Sequence, residues 1–290
     1  MPEVKYDENL AEWVDLVRNL IEEEREFVIA VVVSVKGSAA AKVGAKGAIL
    51  PDGSVLGWLG GWCSENAILL AALETLKTGR PRIIKLVMAG KELRQVSEDV
   101  IEVGTPCGGE VMLYVEPVYP KPQVIAFGHN RVVRALVDIM KILGFKTVVV
   151  DPAASREAYP SADSIVTSLE DLDKLRWDRH TYSVLASMGR TDIDLEVLQK
   201  ILRREQAAVF LVSSVRRADE IIRTLIRRGF GDEINKIQTP AGIDLAAVTP
   251  EELALSIAAG IVAKRRGGTG RFLNEVKGDP VKKAVTTLER

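Results

Sequence analysis

The pattern that most constrains the fold begins after residue 123, where short apolar runs alternate with helical segments. The apolar runs, each typical of a buried strand, lie at 124–127, 147–150, 182–186 and 207–212. The helical patterns lie at 130–143, 192–204, 215–228 and 249–265. Such alternation is typical of a doubly wound, mostly parallel sheet with helices on both faces. We therefore predict a Rossmann-like α/β domain over residues 123–266.

Three prolines, Pro117, Pro120 and Pro122, stand immediately before this region. A segment so rich in proline is extended and unsuited to the middle of a sheet. We therefore place a domain boundary there, so that residues 1–117 form a separate N-terminal domain. Two domains of ordinary size are also what a chain of 290 residues leads us to expect.

The N-terminal part is predicted to be an α/β domain of its own. Residues 7–26 place apolar side chains at helical spacing, and 27–35 is a β-branched run typical of a strand buried on both faces. The remaining assignments are a hairpin turn at 50–54, a helix at 64–78, strands at 83–87 and 110–116, and an irregular charged segment at 88–104.

The tail from residue 267 to 290 is polar and carries one weak helical stretch. We interpret it as a C-terminal arm that is either loose or in contact with another copy of the chain. A homo-oligomer is the expected assembly.

Charge and hydropathy exclude several classes of function. The 39 basic and 40 acidic residues nearly cancel, and no basic stripe is interleaved with aromatics, so nucleic acid is not the expected ligand. No segment has the apolar length of a membrane span, and the polar, acidic N-terminus differs from a signal peptide. We expect a cytoplasmic protein, in which two cysteines are free thiols or ligands and not a structural disulfide.

One of the two cysteines, Cys63, stands where a strand-like run gives way to a helical one, in the stretch GWLGGWCSE at 57–65. A thiol at a helix N-terminus is favoured as thiolate, the form that attacks sulfur or binds a soft metal. Gly60 and Gly61 leave backbone room for a ligand beside it. A small buried hydrophobe near a tight turn is the alternative interpretation of an isolated cysteine.

The second cysteine, Cys107, lies in another glycine-rich segment, GTPCGG at 104–109. A second cysteine in a glycine frame is an unusual coincidence and weakens the packing interpretation of Cys63. The histidines, His129 and His180, do not have zinc-ligand spacing with them, so a zinc site is not predicted. A Cys-His-Asn hydrolase has no local motif in its support.

After the first strand of the second domain, the chain keeps only part of a dinucleotide fingerprint. Gly128 is present, but His129 and Asn130 follow where a G-x-G-x-x-G motif continues with glycine. Asp151 stands at the end of the next strand, at the distance of a ribose-binding acid. The architecture is retained while the phosphate-binding turn is damaged, so NAD(P) is disfavoured and Asp151 is interpreted as a polar ligand contact.

Two later loops are expected at the same sheet edge. Ser213, Ser214, Arg216 and Arg217 follow a strand and begin a helix, where hydroxyls, free N–H groups and guanidinium groups suit an anion, although paired arginines there are often only solvated.

The second loop, at 239–245, contains Gly242 and Asp244, of which Asp244 is either a ligand contact or a turn residue. The helix start after it has Thr249 as cap, Pro250 in the first position and Glu252 closing a capping box.

With these motifs in order, the chain resembles the XdhC/CoxI family from about residue 10 to 266. The first-domain motif of that family, close to G-x-x-S-G-G-C-x-E, falls on 57–65, with Cys63 and Glu65 matching and Trp62 in place of a glycine. The other matches are a C-G-G segment at 107–109, F-G at 127–128, G-F at 144–145 with V-D-P at 150–152, a serine-basic segment at 214–217, P-A-G-I-D at 240–244 and T-P-E-E at 249–252.

The resemblance implies a factor that binds the molybdenum cofactor (molybdopterin), protects it and helps to replace an oxo ligand by sulfide before insertion into a molybdenum hydroxylase. A cysteine desulfurase is the implied sulfur donor. The implied catalytic residues are then Cys63, Cys107 and Glu65, of which Cys63 and Cys107 would contact the metal or carry the sulfur. The implied cofactor-binding set is Gly60, Gly61, Trp62, Gly128, His129, Asn130, Asp151, Ser213, Ser214, Arg216, Arg217, Gly242 and Asp244.

Such a factor is more a cofactor chaperone than a turnover enzyme. Two alternatives stay open. One is an NAD(P)-dependent oxidoreductase that uses Cys63 as a redox thiol, and the other is a non-catalytic scaffold that bridges a hydroxylase and its insertion machinery.

Overall fold

The computed structural model describes residues 10–61, 64–89, 92–105 and 108–278. The chain divides into two units, Met1–Pro120 and Lys121–Arg290.

The first unit is built on one seven-stranded sheet. Its helices are α1 (Leu10–Glu22) and α2 (Glu65–Thr78), and its strands are β1 (Phe27–Lys36), β2 (Lys46–Ile49), β3 (Val55–Gly57), β4 (Arg82–Met88), β5 (Arg94–Ser97), β6 (Val100–Val103) and β7 (Glu110–Val118). The strand order is β3-β2-β1-β7-β4-β6-β5. The paired strands run antiparallel except for β4 and β6, which are parallel.

The two helices of this unit cover opposite faces of the sheet, because successive side chains of a strand point to opposite sides. Val28 and Ala30 of β1 join the cluster that contains the buried side of α2. Phe27 and Ile29, which alternate with them, join the cluster that contains Leu20 of α1.

Two parts of this unit differ from the sequence-based expectation. The charged segment at 88–104 contains two strands. Pairing with β6 outweighs the polar composition of β5, and β6 itself buries Ile101 and Val103 in the core. Strand β7 continues through Pro117, which lies opposite Val28. A proline is tolerated there because β4 pairs with β7 only as far as Val115. Beyond Val115, that side of β7 has no β4 partner to which a backbone N–H would have to donate.

The second unit begins with β8 (Gln123–Phe127), α3 (Arg131–Ile142), β9 (Lys146–Val150) and β10 (Ser164–Val166). After a short 3₁₀ helix (Leu169–Lys174) come β11 (Thr181–Leu185), α4 (Thr191–Ile201), β12 (Ala208–Leu211) and α5 (Val215–Arg227). A second 3₁₀ helix (Glu233–Lys236), β13 (Ile237–Gln238), α6 (Pro250–Arg266) and α7 (Leu273–Lys277) complete it.

The strands of this unit form a parallel sheet in the order β10-β9-β8-β11-β12-β13. Counted along the unit, this is the order 3-2-1-4-5-6 of a doubly wound nucleotide-binding fold. Helices α3 and α6 pack on one face and α4 and α5 on the other. The predicted fold class, an α/β domain followed by a Rossmann-like parallel-sheet domain, is confirmed.

The start of α6 is as predicted: Thr249 accepts a hydrogen bond from the Glu252 N–H, the Glu252 carboxylate accepts one from the Thr249 N–H, and Pro250 begins the helix. The sequence patterns do not reveal β10 or β13, since three and two residues are too few for a period to show.

Candidate functional site

The carboxyl ends of β8, β9, β10 and β11 surround a cavity of about 810 Å³, here called the larger cavity. The strand order reverses between β8 and β11, and ligands of open α/β sheets bind at such a switch point. Four residues expected to contact a ligand line this cavity: Gly128, His129, Asn130 and Asp151.

Gly128 permits two loops of this edge to approach closely. Its φ is +124°, and a Cβ at this position would lie 2.5 Å from the Ala186 carbonyl oxygen, beyond the end of β11. No side chain fits at that distance, so glycine here is required by backbone contact within the protein as well as by its φ.

Asn130 uses its side chain to hold the protein's own backbone. Its Oδ1 accepts a hydrogen bond from the Val133 N–H and so caps α3, while its Nδ2 donates to the Ala186 carbonyl at 2.6 Å. A pyrophosphate in a dinucleotide fold uses the N–H groups of this helix terminus. Because Asn130 occupies one of them, the geometry disfavours a pyrophosphate at α3.

Tyr159 supports the same turn. Its hydroxyl accepts a hydrogen bond from the Asn130 N–H at 3.1 Å, and its ring meets that of His129 edge to face at 5.5 Å. Burial raises the pKa of Tyr159, so the group stays a neutral phenol. Asp151 also lines the cavity, where its carboxylate accepts a hydrogen bond from the Ala153 N–H at 2.8 Å.

A second, smaller cavity of about 500 Å³ lies at the ends of β11 and β12. Ser213, Ser214 and Arg217 line it, as expected of an anion site, and Ser214 caps α5 by accepting a hydrogen bond from the Arg217 N–H. Arg216 is exposed and is not among the lining residues, since the helix turns its side chain away from that of Arg217.

Arg217 is held by three partners at once. Its Nε donates to Ser213 Oγ at 2.9 Å and its Nη2 to the Val212 carbonyl at 2.7 Å. The same Nη2 lies 3.4 Å from Oδ2 of Asp194, in the first turn of α4. Asp194 lines the larger cavity, so this ion pair joins the walls of the two cavities.

Sequence reasoning missed Asp194, the one carboxylate that is buried among the described residues. Burial raises its pKa, and the Ser187 hydroxyl and the Arg217 charge only partly offset this. The available signal was an acidic first turn that follows a buried strand, but Asp192 shares that signal and is exposed.

Gly242 and Asp244, in the loop after β13, were expected to contact a ligand, but they line neither of the two cavities. Gly242 packs against α6, where a Cβ would lie 2.3 Å from Ser256 Oγ. The Asp244 carboxylate accepts a hydrogen bond from the Ala246 N–H at 3.1 Å, as a turn residue does.

In the first unit, Cys63, Cys107 and Trp62 lie outside the described residues. Glu65 begins α2 and is exposed, in the first turn where the helix dipole favours an acid. Ser64 before it is buried, and its N–H and hydroxyl both donate to the Gly61 carbonyl, at 3.1 and 3.0 Å.

The described neighbours of both cysteines contact one loop, residues 37–41. A Cβ on Gly60 would lie 3.1 Å from Ala41 Cβ, and one on Gly61 would lie 3.6 Å from Ala40 Cβ. On the other side, a Cβ on Gly109 would lie 2.6 Å from the Ser38 carbonyl oxygen. The 37–41 loop therefore borders both glycine frames.

The described residues hold no ready-made metal centre, since no three of their His, Cys, Asp or Glu side chains come together as a metal-binding group. No helix within those ranges has the length and apolar character needed to cross a membrane.

Comparison with curated proteins finds distant relatives. The chain is 27% identical over 264 residues to the Escherichia coli K12 "Uncharacterized protein YqeB", a match covering 88% of this chain. It is 23% identical over 159 residues to a Bacillus subtilis 168 protein described as a probable xanthine dehydrogenase subunit, covering 53% of this chain. In both cases the match spans 46% of the relative's own length.

Among solved structures, one described as a xanthine dehydrogenase from Bacillus halodurans is 20% identical, with a TM-score of 0.46 over 90% of this chain and 97% of that one. Two family models also match. The "XdhC and CoxI family" model matches residues 20–87, in the first unit, and the "XdhC Rossmann domain" model matches residues 124–261, in the second. With both units matched, the chain belongs to the XdhC and CoxI family.

Proposed function

We propose that this protein is a maturation factor that binds the molybdenum cofactor and supports its sulfuration and insertion into a molybdenum hydroxylase. The family membership supports an accessory role of this kind. One of its relatives is named a probable xanthine dehydrogenase subunit, which favours a hydroxylase of that class as the target.

The observation that carries the proposal is the contact of both glycine frames with the 37–41 loop. Gly61 precedes Cys63 by two residues, and Gly108 directly follows Cys107. A Cβ on Gly37 would lie 3.1 Å from the Gly108 carbonyl oxygen, while Gly61 borders the other end of the same five-residue loop. That both glycine frames border one loop supports the proposal that Cys63 and Cys107 serve one soft-metal or sulfur-carrying site.

The smaller cavity fits the phosphate of such a cofactor. Arg217 supplies a positive charge, and Ser213 and Ser214 supply hydroxyls at its wall. The N-terminus of the 13-residue α5 adds the partial positive charge of the helix dipole, and Ser214 already caps its Arg217 N–H. The cofactor would be cargo for this protein, with a cysteine desulfurase as sulfur donor, and catalytic turnover is not required of the chain. A homo-oligomer stays a prediction.

The test is to measure binding of molybdenum cofactor and activation of a sulfur-dependent hydroxylase by the full chain and by Cys63→Ala and Cys107→Ala. We expect either substitution to reduce activation by about tenfold or more, as loss of a metal-site residue does. Unchanged activation by both variants would favour the scaffold and remove the proposed role of the thiols.

A matched pair tests the phosphate site. Arg217→Lys keeps the charge but loses the fork that bonds Val212 and Ser213, so we expect weaker cofactor binding. Arg216→Lys, one residue away and outside the cavity, is expected to bind as the unmodified chain does. Tight NADPH binding without cofactor binding would instead support the oxidoreductase.

A further inference from the structure

The side of α6 that faces away from the sheet carries a row of apolar side chains. Leu255 is 50% and Val262 36% exposed, and Ala259, which is partly exposed, lies between them. Steps of four and three residues place all three on one side of the helix. Ile257 and Ile261, on the opposite side, are buried in the core. A contiguous apolar row at the surface indicates contact with another molecule.

Charged side chains continue this row at both ends. Glu251 precedes Leu255 by four residues, Arg266 follows Val262 by four residues, and both charged residues are exposed. We call the set Glu251, Leu255, Ala259, Val262 and Arg266 the α6 row. The helix dipole favours an acid at the start and a base at the end, but it does not account for the exposed apolar side chains between them. The α6 row thus reads acid, apolar, small, apolar, base.

Helix α3 widens the apolar surface beside the end of α6. Both helices follow strands of the parallel sheet and pack on the same face of it, so they run in the same direction. At their starts, Arg131 Nη2 lies 3.0 Å from a carboxylate oxygen of Glu251. Ile142 follows Arg131 by 11 residues, as Val262 follows Glu251, and this number of residues makes about three helical turns. Ile142, which is 85% exposed, therefore lies at the level of Val262 and on the side of α3 toward α6.

The α6 row is complementary to itself when two copies meet antiparallel. A two-fold axis at the middle of α6 places Leu255 opposite Val262 of the second copy, and Glu251 opposite Arg266 of the second copy. Apolar side chains then meet each other, and each acid meets a base. The small side chain of Ala259 at the centre permits a close approach of the two helices. A parallel pairing would instead place acid against acid.

We propose that this face of α6 pairs with the same face of a second copy, antiparallel and about a two-fold axis, to form a homodimer. A second copy is the occupant because a single row supplies both halves of the complementarity. The Ile142 side chain lies at the edge of the interface and adds apolar area to it. The proposal concerns assembly of the chain and does not depend on binding of the molybdenum cofactor.

Sedimentation velocity of the full chain from about 1 to about 100 μM measures this association. We expect a dimer that dissociates on dilution, and a chain that is monomeric at every concentration would overturn the proposal. Leu255→Glu puts a carboxylate into each half of the apolar row, so we expect the dimer Kd to rise at least about tenfold. Leu70→Glu, at a leucine of α2 that is 51% exposed, is the matched control and should dimerise as the unmodified chain does. Equal association of the two variants would contradict an interface on α6.

A charge exchange tests the antiparallel pairing and guards against misfolding. Glu251→Arg alone and Arg266→Glu alone each place like charges opposite one another, so we expect each variant to dimerise at least about tenfold more weakly. In an equimolar mixture of the two, every facing pair is again opposite in charge, and we expect association close to that of the unmodified chain. Recovered association requires both variants to be folded. A mixture that stays as weakly associated as its components would overturn the proposal.

Other occupants of this face would give different results. A dimer whose Kd is unchanged in all these variants would lie on another surface and overturn the proposal. Unchanged association together with weaker activation of a hydroxylase by Leu255→Glu would assign the face to the hydroxylase instead, with the same consequence. Loss of the dimer in a variant that keeps its affinity for the cofactor would support the interface and leave the proposed function in place.

Discussion

The Arg217 guanidinium and the Asp194 carboxylate lie 3.4 Å apart and join the first turns of α5 and α4, which pack on the same face of the sheet. The pair is unequal in its surroundings. Arg217 has hydrogen-bond partners in Val212 and Ser213 and is partly exposed, whereas Asp194 is buried with one oxygen unbonded. The free-energy cost of burying a charge is therefore larger for Asp194 than for Arg217.

This inequality predicts a pH dependence of stability. Burial raises the pKa of Asp194 in the folded chain above its value in the unfolded chain, so between the two pKa values the folded state binds more protons. The free energy of unfolding then decreases as pH rises through that window. Asp194→Asn does not titrate, so we expect its stability relative to the unmodified chain to improve as pH rises.

Urea unfolding at a series of pH values from about 4 to about 8 measures this difference. Asp192→Asn is the control, because that acid is exposed and in the same helix. A difference in free energy of unfolding between Asp194→Asn and the unmodified chain that does not change with pH would contradict a raised pKa of Asp194. A variant that becomes relatively less stable as pH rises would contradict it as well.

A second prediction concerns the approach of Gly128 to Ala186. Gly128→Ala combines a φ of +124° with a Cβ 2.5 Å from a carbonyl oxygen, and we expect it to lower the free energy of unfolding by about 3 kcal/mol. Gly144 has a φ of +78°, but no atom of the described ranges lies within 4 Å of an added Cβ, so we expect Gly144→Ala to lower the free energy of unfolding by about 1 kcal/mol. Urea unfolding of the two variants measures both losses of stability. Similar values would show that the positive φ alone, and not the approach to Ala186, causes the loss in Gly128→Ala.

Local chemistry made part of this structure predictable. The cap of α6 could be inferred from four consecutive residues, because Thr249 and Glu252 bond only to each other's backbone and to that of the adjoining turn. The parallel sheet could be inferred from the spacing of its apolar runs. Both depend on neighbours in the chain and need no knowledge of distant contacts.

Other features depend on partners far along the chain. Arg216 and Arg217 look equivalent in a linear motif, but the rotation between successive helical residues sends only Arg217 toward Asp194 and the smaller cavity. Strand β5 is polar and exposed, and pairing with β6 rather than its own composition makes it a strand. No local pattern carries this information.

A third prediction separates packing from binding in the glycine frames. Gly109→Ala would place Cβ 2.6 Å from the Ser38 carbonyl, and we expect a loss of about 2 kcal/mol in the free energy of unfolding. Among the described residues, the new Cβ of Gly61→Ala meets the Ala40 Cβ alone, at 3.6 Å, so the free energy of unfolding should change by less than about 0.5 kcal/mol. If Gly61 borders bound cofactor as proposed, its variant should bind cofactor more weakly while unfolding normally.

Asp163 should show a pH dependence opposite to that of Asp194. Partial burial pushes its pKa upward, but hydrogen bonds from Lys141 and from the N–H and hydroxyl of Thr147 outweigh this and hold the pKa below its usual value. The ionised form thus contributes stability that is complete above the unfolded-state pKa and is lost as pH falls through the folded-state pKa. We expect Asp163→Asn to lower the free energy of unfolding by about 1–2 kcal/mol near neutral pH and by progressively less in acid, because charged hydrogen bonds are lost. Urea unfolding measures this loss.

Asp138→Asn, on the exposed side of α3, is the control and should lower the free energy of unfolding little at any pH. An Asp163→Asn penalty that grows on acidification would mean that the hydrogen bonds from Lys141 and Thr147 do not stabilise the carboxylate.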